Sequence, residues 1–411
     1  MTSTVAERPR LTAVRAAWLF DGTGSALIAD PTVILDGGRI LAVGAAGSVP
    51  AGARVLDLPG TTLLPGLVDT HVHLAFDSTA DPVGALAGRD DAAALEAMAA
   101  AARAALIGGV TTVRDLGDRG YLSLSLRGRP DLPTIIAAGP PITTPTGHCH
   151  YLGGGVPPDP DSVRAAVNEH AERGCDVVKI MASGGSLTPG SKPEIAQFGL
   201  PALVAAVDEA HRLGLPITAH AHGTPAIEDA VAAGVDGMEH VSFWTADGVD
   251  DRPDLIEKIA ARRIVVGATL GMAVVAGAVP PPDVLARVPF FLANMRKMHQ
   301  AGVLIVAGTD AGIAPVKPPD ALRHALPQLV GLGMTPVEAL RTMTSVAANV
   351  LGVGHRKGRI APGFDADLLI VDGNPLVEQG AIHQIRAVYA GGHPVARNTA
   401  LPKTRAEEFI S

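Results

Sequence analysis

The sequence predicts an α/β chain: a (β/α)8 TIM barrel carrying a small β-sandwich domain built from both chain termini. Three observations point there. Apolar strand-like segments recur eight times after Pro65, each followed by a Gly-containing loop and most by an Ala-rich helical stretch, and eight parallel strands are the number that closes such a barrel. The segments before and after that run are short, β-rich and broken by turn residues. No glycine-rich phosphate loop follows the first strand, as a doubly wound open sheet with a dinucleotide site would carry.

Taken in order, residues 1–10 (MTSTVAERPR) read as a flexible N-terminus. Residues 11–64 hold AVRAAWLFDGTG, TVILDGGRILAVG and ARVLDLPGTTLLPG, which by alternation and punctuation form a small antiparallel sheet. Residues 353–400, with GFDADLLIVDGNPL and IRAVYAGGHPVAR, return to that character and complete the same discontinuous domain. The barrel is assigned to residues 65–352, roughly 36 residues per βα unit. Its strands are LLPGLVDTHVH, GVTTVRDL, PTIIAAG, DVVKIMASGG, GLPITAH, GVDGMEH, RIVVGATL and GVLIVAGTD. Its helices include DSVRAAVNEHAERG and LPALVAAVDEAHRLG, each with an apolar stripe at helical spacing and a glycine near its end.

Composition narrows the function. Hydrophobic residues make up 47% and charged residues 18% of the 411, so the chain can fill a large core and is not a long disordered polymer. The net charge is −8, no basic block occurs and aromatics are 3%, which argues against nucleic acid and anionic membranes as partners. There is no signal-peptide pattern and no run of eighteen apolar residues, so the expected setting is cytoplasmic. Two cysteines, Cys149 and Cys175, cannot make a disulfide framework or a thiolate zinc site and are read as reduced. The oligomeric state stays open, a homo-oligomer included.

The chemistry lies in histidines at strand ends. Three His-x-His pairs occur: His71/His73, His148/His150 and His220/His222. Residues two apart on a strand share a face, so His71 and His73 can offer two imidazoles to one ion; satisfied polar residues at a strand end are the bland alternative. Single metal-competent residues close four further strands: Lys179, His220, His240 and Asp310. In a closed parallel barrel the carboxyl ends of all strands meet at one mouth, so these distant residues converge. A plain ammonium at Lys179 is costly to bury and repels the cations that the histidines invite. Capture of CO2 as a carbamate removes that conflict and gives an anion with two oxygens; a lysine reaching solvent or a carboxylate is the other reading.

This pattern resembles the metal-dependent amidohydrolase superfamily, in its subtype with a carboxylated lysine and two metals. The resemblance rests on PGLVDTHVHL, Lys179, His220, His240 and Asp310 in that order, and covers essentially the whole chain. It implies two divalent ions, zinc foremost with manganese, iron or cobalt as alternatives. One would be held by His71, His73, Asp310 and a Lys179 carbamate oxygen, the other by His220, His240 and the second carbamate oxygen. The segments GVTTVRDLGD, TPTGHCHYLGG and AHRLGLPITAHAHG look like the branch of prolidase-like Xaa-Pro dipeptidases and N-acyl amino acid hydrolases. The implied reaction is hydrolysis of an amide or peptide-like C–N bond in a small substrate by a metal-bridging hydroxide. Asp310 and Lys179 would be the catalytic residues, with Asp310 as proton shuttle, and His148 would contact substrate.

Lactone, ester or phosphoester hydrolysis at the same centre is the alternative, ahead of a deaminase or a scaffold without chemistry. His150 is read as solvated, His222 as support for the ligands, and Arg114 with Asp115 as an ion pair. Tyr151 and Trp244 are left between pocket lining and packing. Few cations occur in the mouth loops, chiefly Arg114, Lys192, Lys317 and Arg323.

Overall fold

The computed structural model describes residues 11–24, 26–45, 49–278 and 282–396. The segment expected to be a flexible N-terminus, residues 1–10, lies outside them, as do residues 397–400 of the expected terminal domain. The chain divides into two compact units. One comprises the described residues of 11–68, 106–111 and 335–396; the other comprises 69–105 and the described residues of 112–334.

The first unit is built on one continuous eight-stranded sheet. Leu368–Asp372 pairs antiparallel with Arg54–Pro65, so segments more than 300 residues apart share one hydrogen-bonded layer. Thr12–Leu19 and Arg54–Pro65 pair in parallel, where alternation alone suggested only antiparallel neighbours. The reason is topological: Pro31–Asp36 and Arg39–Ala45 form an antiparallel hairpin between them, and the chain then returns in its original direction. Val14, Leu19, Val33, Ile40, Leu63, Leu368 and Tyr389 form its buried core.

The second unit contains most of the alternating β and α segments. Label the eight strands in question β1 (Leu67–Val72), β2 (Val110–Asp115), β3 (Thr134–Ala137), β4 (Val178–Met181), β5 (Ile217–Gly223), β6 (Gly237–Trp244), β7 (Val265–Thr269) and β8 (Ile305–Gly308). Each falls within or overlaps its sequence-read segment. They pair in chain order, as a three-stranded sheet β1-β2-β3 and a five-stranded parallel sheet β4-β5-β6-β7-β8. Single parallel bridges link the sheets at both edges, Ile142 with Ile180 and Val72 with Ala311.

β2, β4, β6 and β8 are buried throughout, as strands covered on both faces must be. The helices begin and end where local chemistry dictates. Asp159 caps Pro160–Arg173 by accepting from the Asp161 and Ser162 amides, and Gly174 at φ 82° closes it in the left-handed region that favours glycine.

Candidate active site

The strand period of two sets the first part of the site. Asp69, His71 and His73 share a parity around the C-terminal end of β1 and all are buried. Asp69 ties this end to the segment after β8: its carboxylate accepts from the Thr309 amide at 3.0 Å and the Thr309 hydroxyl at 2.7 Å. The Asp310 amide then donates to the His71 carbonyl at 2.7 Å, which brings the Asp310 side chain over the two imidazoles.

Three donor atoms meet there. His71 Nε2 and His73 Nε2 lie 3.2 Å apart, and Asp310 Oδ1 is 3.4 and 3.3 Å from them. The edge of a tetrahedron of ligands with bonds of about 2.1 Å is about 3.4 Å, so this spacing suits donors around one ion. The far sides of the rings are pinned: His71 Nδ1 is 3.1 Å from Glu239 Oε2 and His73 Nδ1 is 3.2 Å from the Gly117 carbonyl. Donation from both Nδ1 atoms leaves both Nε2 lone pairs facing Asp310, the arrangement a metal-binding histidine needs.

A second group comes from β5 and β6. Ligand atoms of His220, His222 and His240 lie within 4.8 Å of one another, as do those of His71, His240 and Asp310, so His240 belongs to both sets. His220 Nε2 is 2.9 Å from the Gly184 carbonyl and His240 Nδ1 is 3.1 Å from the Thr269 hydroxyl, which leaves the opposite nitrogen of each ring available. His240 and Asp310 both have left-handed backbones, at φ 73° and 60°. Such conformations are costly for non-glycine residues and persist where surrounding structure enforces them.

His222 packs within this second group. Its ring stacks on His240 at 4.3 Å and Trp244 at 4.7 Å, while its Nδ1 is 2.9 Å from the Ser242 hydroxyl. Burial and the nearby Lys179 charge lower His71 to about 4, and burial with the neighbouring His148 lowers His222 to about 3. His220 and His240 are also held well below the ordinary histidine value by burial and by each other or His222. These imidazoles are therefore neutral at physiological pH, as metal ligands must be.

Lys179, 1% exposed in β4, reaches no hydrogen-bond partner among the described residues. Burial pushes it down to about 8, against the opposing charges of Glu239 and Asp310. An orphaned amine among histidines is what a carbamate site needs before CO2 adds. Burial alone would raise Asp310, yet its carboxyl is held well below the ordinary carboxylate range, with the buried Lys317 ammonium among the charges that favour the anion.

The Arg114–Asp115 ion pair expected from sequence is not formed. Neighbours on a strand point to opposite faces, and Arg114 Nη2 instead donates to Glu239 Oε1 at 2.8 Å. Glu239, which sequence reasoning passed over, is the hub: it also accepts from Thr218 Oγ1 at 2.9 Å and orients His71. Gly267 makes room for it, since a Cβ there would lie 1.9 Å from Glu239 Oε2. The available signal was an acid inside an apolar strand segment, GVDGMEH. Glu239→Ala is expected to destabilise the fold by about 3–5 kcal/mol, because it leaves a buried guanidinium unpaired. Denaturant unfolding with metal analysis would check it; a loss under 1 kcal/mol would remove Glu239 from this role.

A cavity of about 560 Å³ is lined by His73, His148, His220, His222, His240 and Asp310, together with apolar side chains and Trp244. His148 packs its ring 4.8 Å from His220, and its Nδ1 has no partner among the described residues. His150 Nδ1 is 2.9 Å from the Gly147 carbonyl, and Tyr151 packs beside Phe76 with its hydroxyl donating to Cys149 Sγ at 3.6 Å. Burial pushes the Cys149 thiol up to about 12, so it is no nucleophile. Of the four cations picked out in the mouth loops, Lys317 lines the cavity, Arg323 pairs with Asp320 and Lys192 is exposed.

Residues 62–395 match the amidohydrolase family. Ochratoxinase from Aspergillus niger is 28% identical over an alignment covering 93% of this chain and 85% of that one. Among solved structures, a Xaa-Pro dipeptidase with methionine bound in its active site superposes with a TM-score of 0.81 at 26% identity, covering 93% of this chain and 99% of its own. A putative prolidase from Bifidobacterium longum gives 0.78 at 30% identity, covering 97% of each.

Proposed function

The chain belongs to the amidohydrolase family and is a hydrolase acting on C–N bonds; from that premise we propose that it cleaves the amide of a dipeptide or N-acyl amino acid at a binuclear metal centre. The observation that carries the reading is the meeting of His71 Nε2, His73 Nε2 and Asp310 Oδ1 within 3.4 Å of one another, with both Nδ1 atoms turned away to fixed acceptors. His71, His73 and Asp310 would hold one divalent ion, and His220 and His240 the other. Lys179, as its carbamate, would hold both. Bound there, zinc, manganese, iron or cobalt supplies Lewis acidity toward a carbonyl and a water.

The chain's own residues do the rest. Asp310 directs Oδ1 toward the imidazoles and leaves Oδ2 to take the proton of the attacking water and pass it to the departing nitrogen. His148, buried with an unpartnered Nδ1 against His220, is placed to contact the substrate's polar atoms. The eight strands are read as a closed barrel, an assignment supported by the edge bridges Ile142–Ile180 and Val72–Ala311. The terminal sheet is read as a sandwich over the described residues of 11–64 and 353–396, supported by one core cluster that joins Ile40 near one edge to Tyr389 near the other. No helix among the described residues is long and apolar enough to cross a membrane, and the two buried free thiols suit a cytoplasmic setting.

Dipeptides and N-acyl amino acids are expected to be hydrolysed by metal-loaded protein, with activity lost on chelation and restored by added divalent metal. A well-folded, metal-free preparation with full activity, or a loaded one that cleaves none of these amides, would overturn the proposal.

A further inference from the structure

We infer that Lys317 is a carboxylate anchor, and that the substrate is an amphiphile with one carboxylate and a bulky apolar group. The inference deepens the amide-hydrolase reading and rests on it. The cavity has a charge imbalance: among the described residues Asp310 is the one acid lining it, whereas Arg287, Arg296 and Lys317 are cations. The two arginines are already engaged. Arg287 lies 4.8 Å over the Trp244 ring and donates to the Thr245 carbonyl, and Arg296 donates to the Gly331 carbonyl from an exposed position.

Lys317 differs because its ammonium is buried with the residue only 7% exposed. Among the described residues its one hydrogen-bond acceptor is the Thr269 carbonyl oxygen at 2.7 Å, although an ammonium carries three donors. Its backbone is fixed: the Lys317 carbonyl accepts from the Gly312 amide at 2.9 Å and from Ser78 Oγ at 2.8 Å. The two carboxylates that attract it, Asp310 and Asp69, are turned to the imidazoles and to Thr309, so a fixed, buried cation with spare donors at a cavity wall calls for an anion from the ligand.

The apolar half of the ligand follows from the rest of the lining. Val284, Val288, Phe291 and Leu292 recur at helical spacing on the helix Pro282–Gln300 and all line the cavity, as do Leu270 and Leu332. A chamber of about 560 Å³ with such walls is larger than a small dipeptide needs and suits an acyl chain or aromatic group.

The test uses metal-loaded, full-length protein and two ligands with no C–N bond to cleave, 6-phenylhexanoate and 6-phenylhexan-1-ol, with binding read by calorimetry. The acid should bind about 10- to 100-fold tighter than the alcohol, and Lys317→Met should bring that ratio to about threefold or less, while Lys317→Arg keeps part of it. Acetate should bind far more weakly than the phenyl acid. Equal binding of acid and alcohol by the wild-type protein would overturn the anchor, even if Lys317→Met failed to fold. So would an unchanged ratio in folded Lys317→Met, or acetate binding as tightly as the phenyl acid. The hydrolase reading fails separately: an acid preference abolished in Lys317→Met, beside absent turnover of every N-acyl amino acid, supports the anchor and removes the amide chemistry.

Discussion

Lys179→Met is expected to strip the site of most of its metal and of hydrolysis, yet to raise the stability of the metal-free protein. The two effects have one cause. The ammonium is fully enclosed, has no hydrogen-bond partner among the described residues, and stands among neutral imidazoles. Methionine has a similar length and no charge to desolvate, and replacing a buried charge with a well-packed apolar side chain commonly gains about 1–4 kcal/mol. A residue retained at such a cost has a use in the loaded state, and a carbamate is that use.

The pH dependence gives a second reading of the same variant. Burial lowers Lys179 from 10.5 to about 8, so between these values the unfolded chain binds its proton more tightly than the folded chain. Stability of wild-type, metal-free protein in CO2-free buffer should therefore rise as pH climbs through that window, by linkage, and the lysine-dependent part of the rise should vanish in Lys179→Met. Urea unfolding at several pH values, with metal analysis and turnover assays, decides the matter. A folded Lys179→Met protein with full metal content and ordinary turnover would end the carbamate reading.

How much of this was legible differs from residue to residue. His71 and His73 were readable because a strand has a period of two, and two imidazoles at that spacing share a face whatever the rest of the fold does. All eight strand segments stood out for a similar reason, as short apolar runs punctuated by glycine. Glu239 did not. Regular alternation would send Glu239 and His240 to opposite faces, and only the left-handed turn at His240 lets neighbours in sequence both approach His71. The partner of Arg114 lies 125 residues away, and the Asp69 latch is closed by Thr309 at a separation of 240, so neither contact leaves a local trace. His222 was legible as a same-face neighbour of His220, but its stacking between His240 and Trp244 depends on how β5 and β6 register.

Asp310→Asn should lower kcat by about 10²–10⁴ while changing KM far less. The substitution is nearly isosteric, and an asparagine carbonyl can still take the place of Oδ1 beside His71 and His73. What it lacks is a basic oxygen: an amide NH2 cannot accept the proton that leaves the attacking water. No other acid lines the cavity among the described residues, so no neighbouring carboxylate can take over. His71, His73, His220 and His240 cannot serve either, because one ring nitrogen of each is tied to Glu239, Gly117, Gly184 or Thr269 and the other faces the ligand centre. Weaker metal binding is the one trivial route to the same loss, so the quantity to measure is kcat per bound ion, at saturating metal and with metal content assayed in the same sample. A variant that keeps wild-type kcat per ion would show that the proton leaves by another path and that Asp310 is a ligand alone.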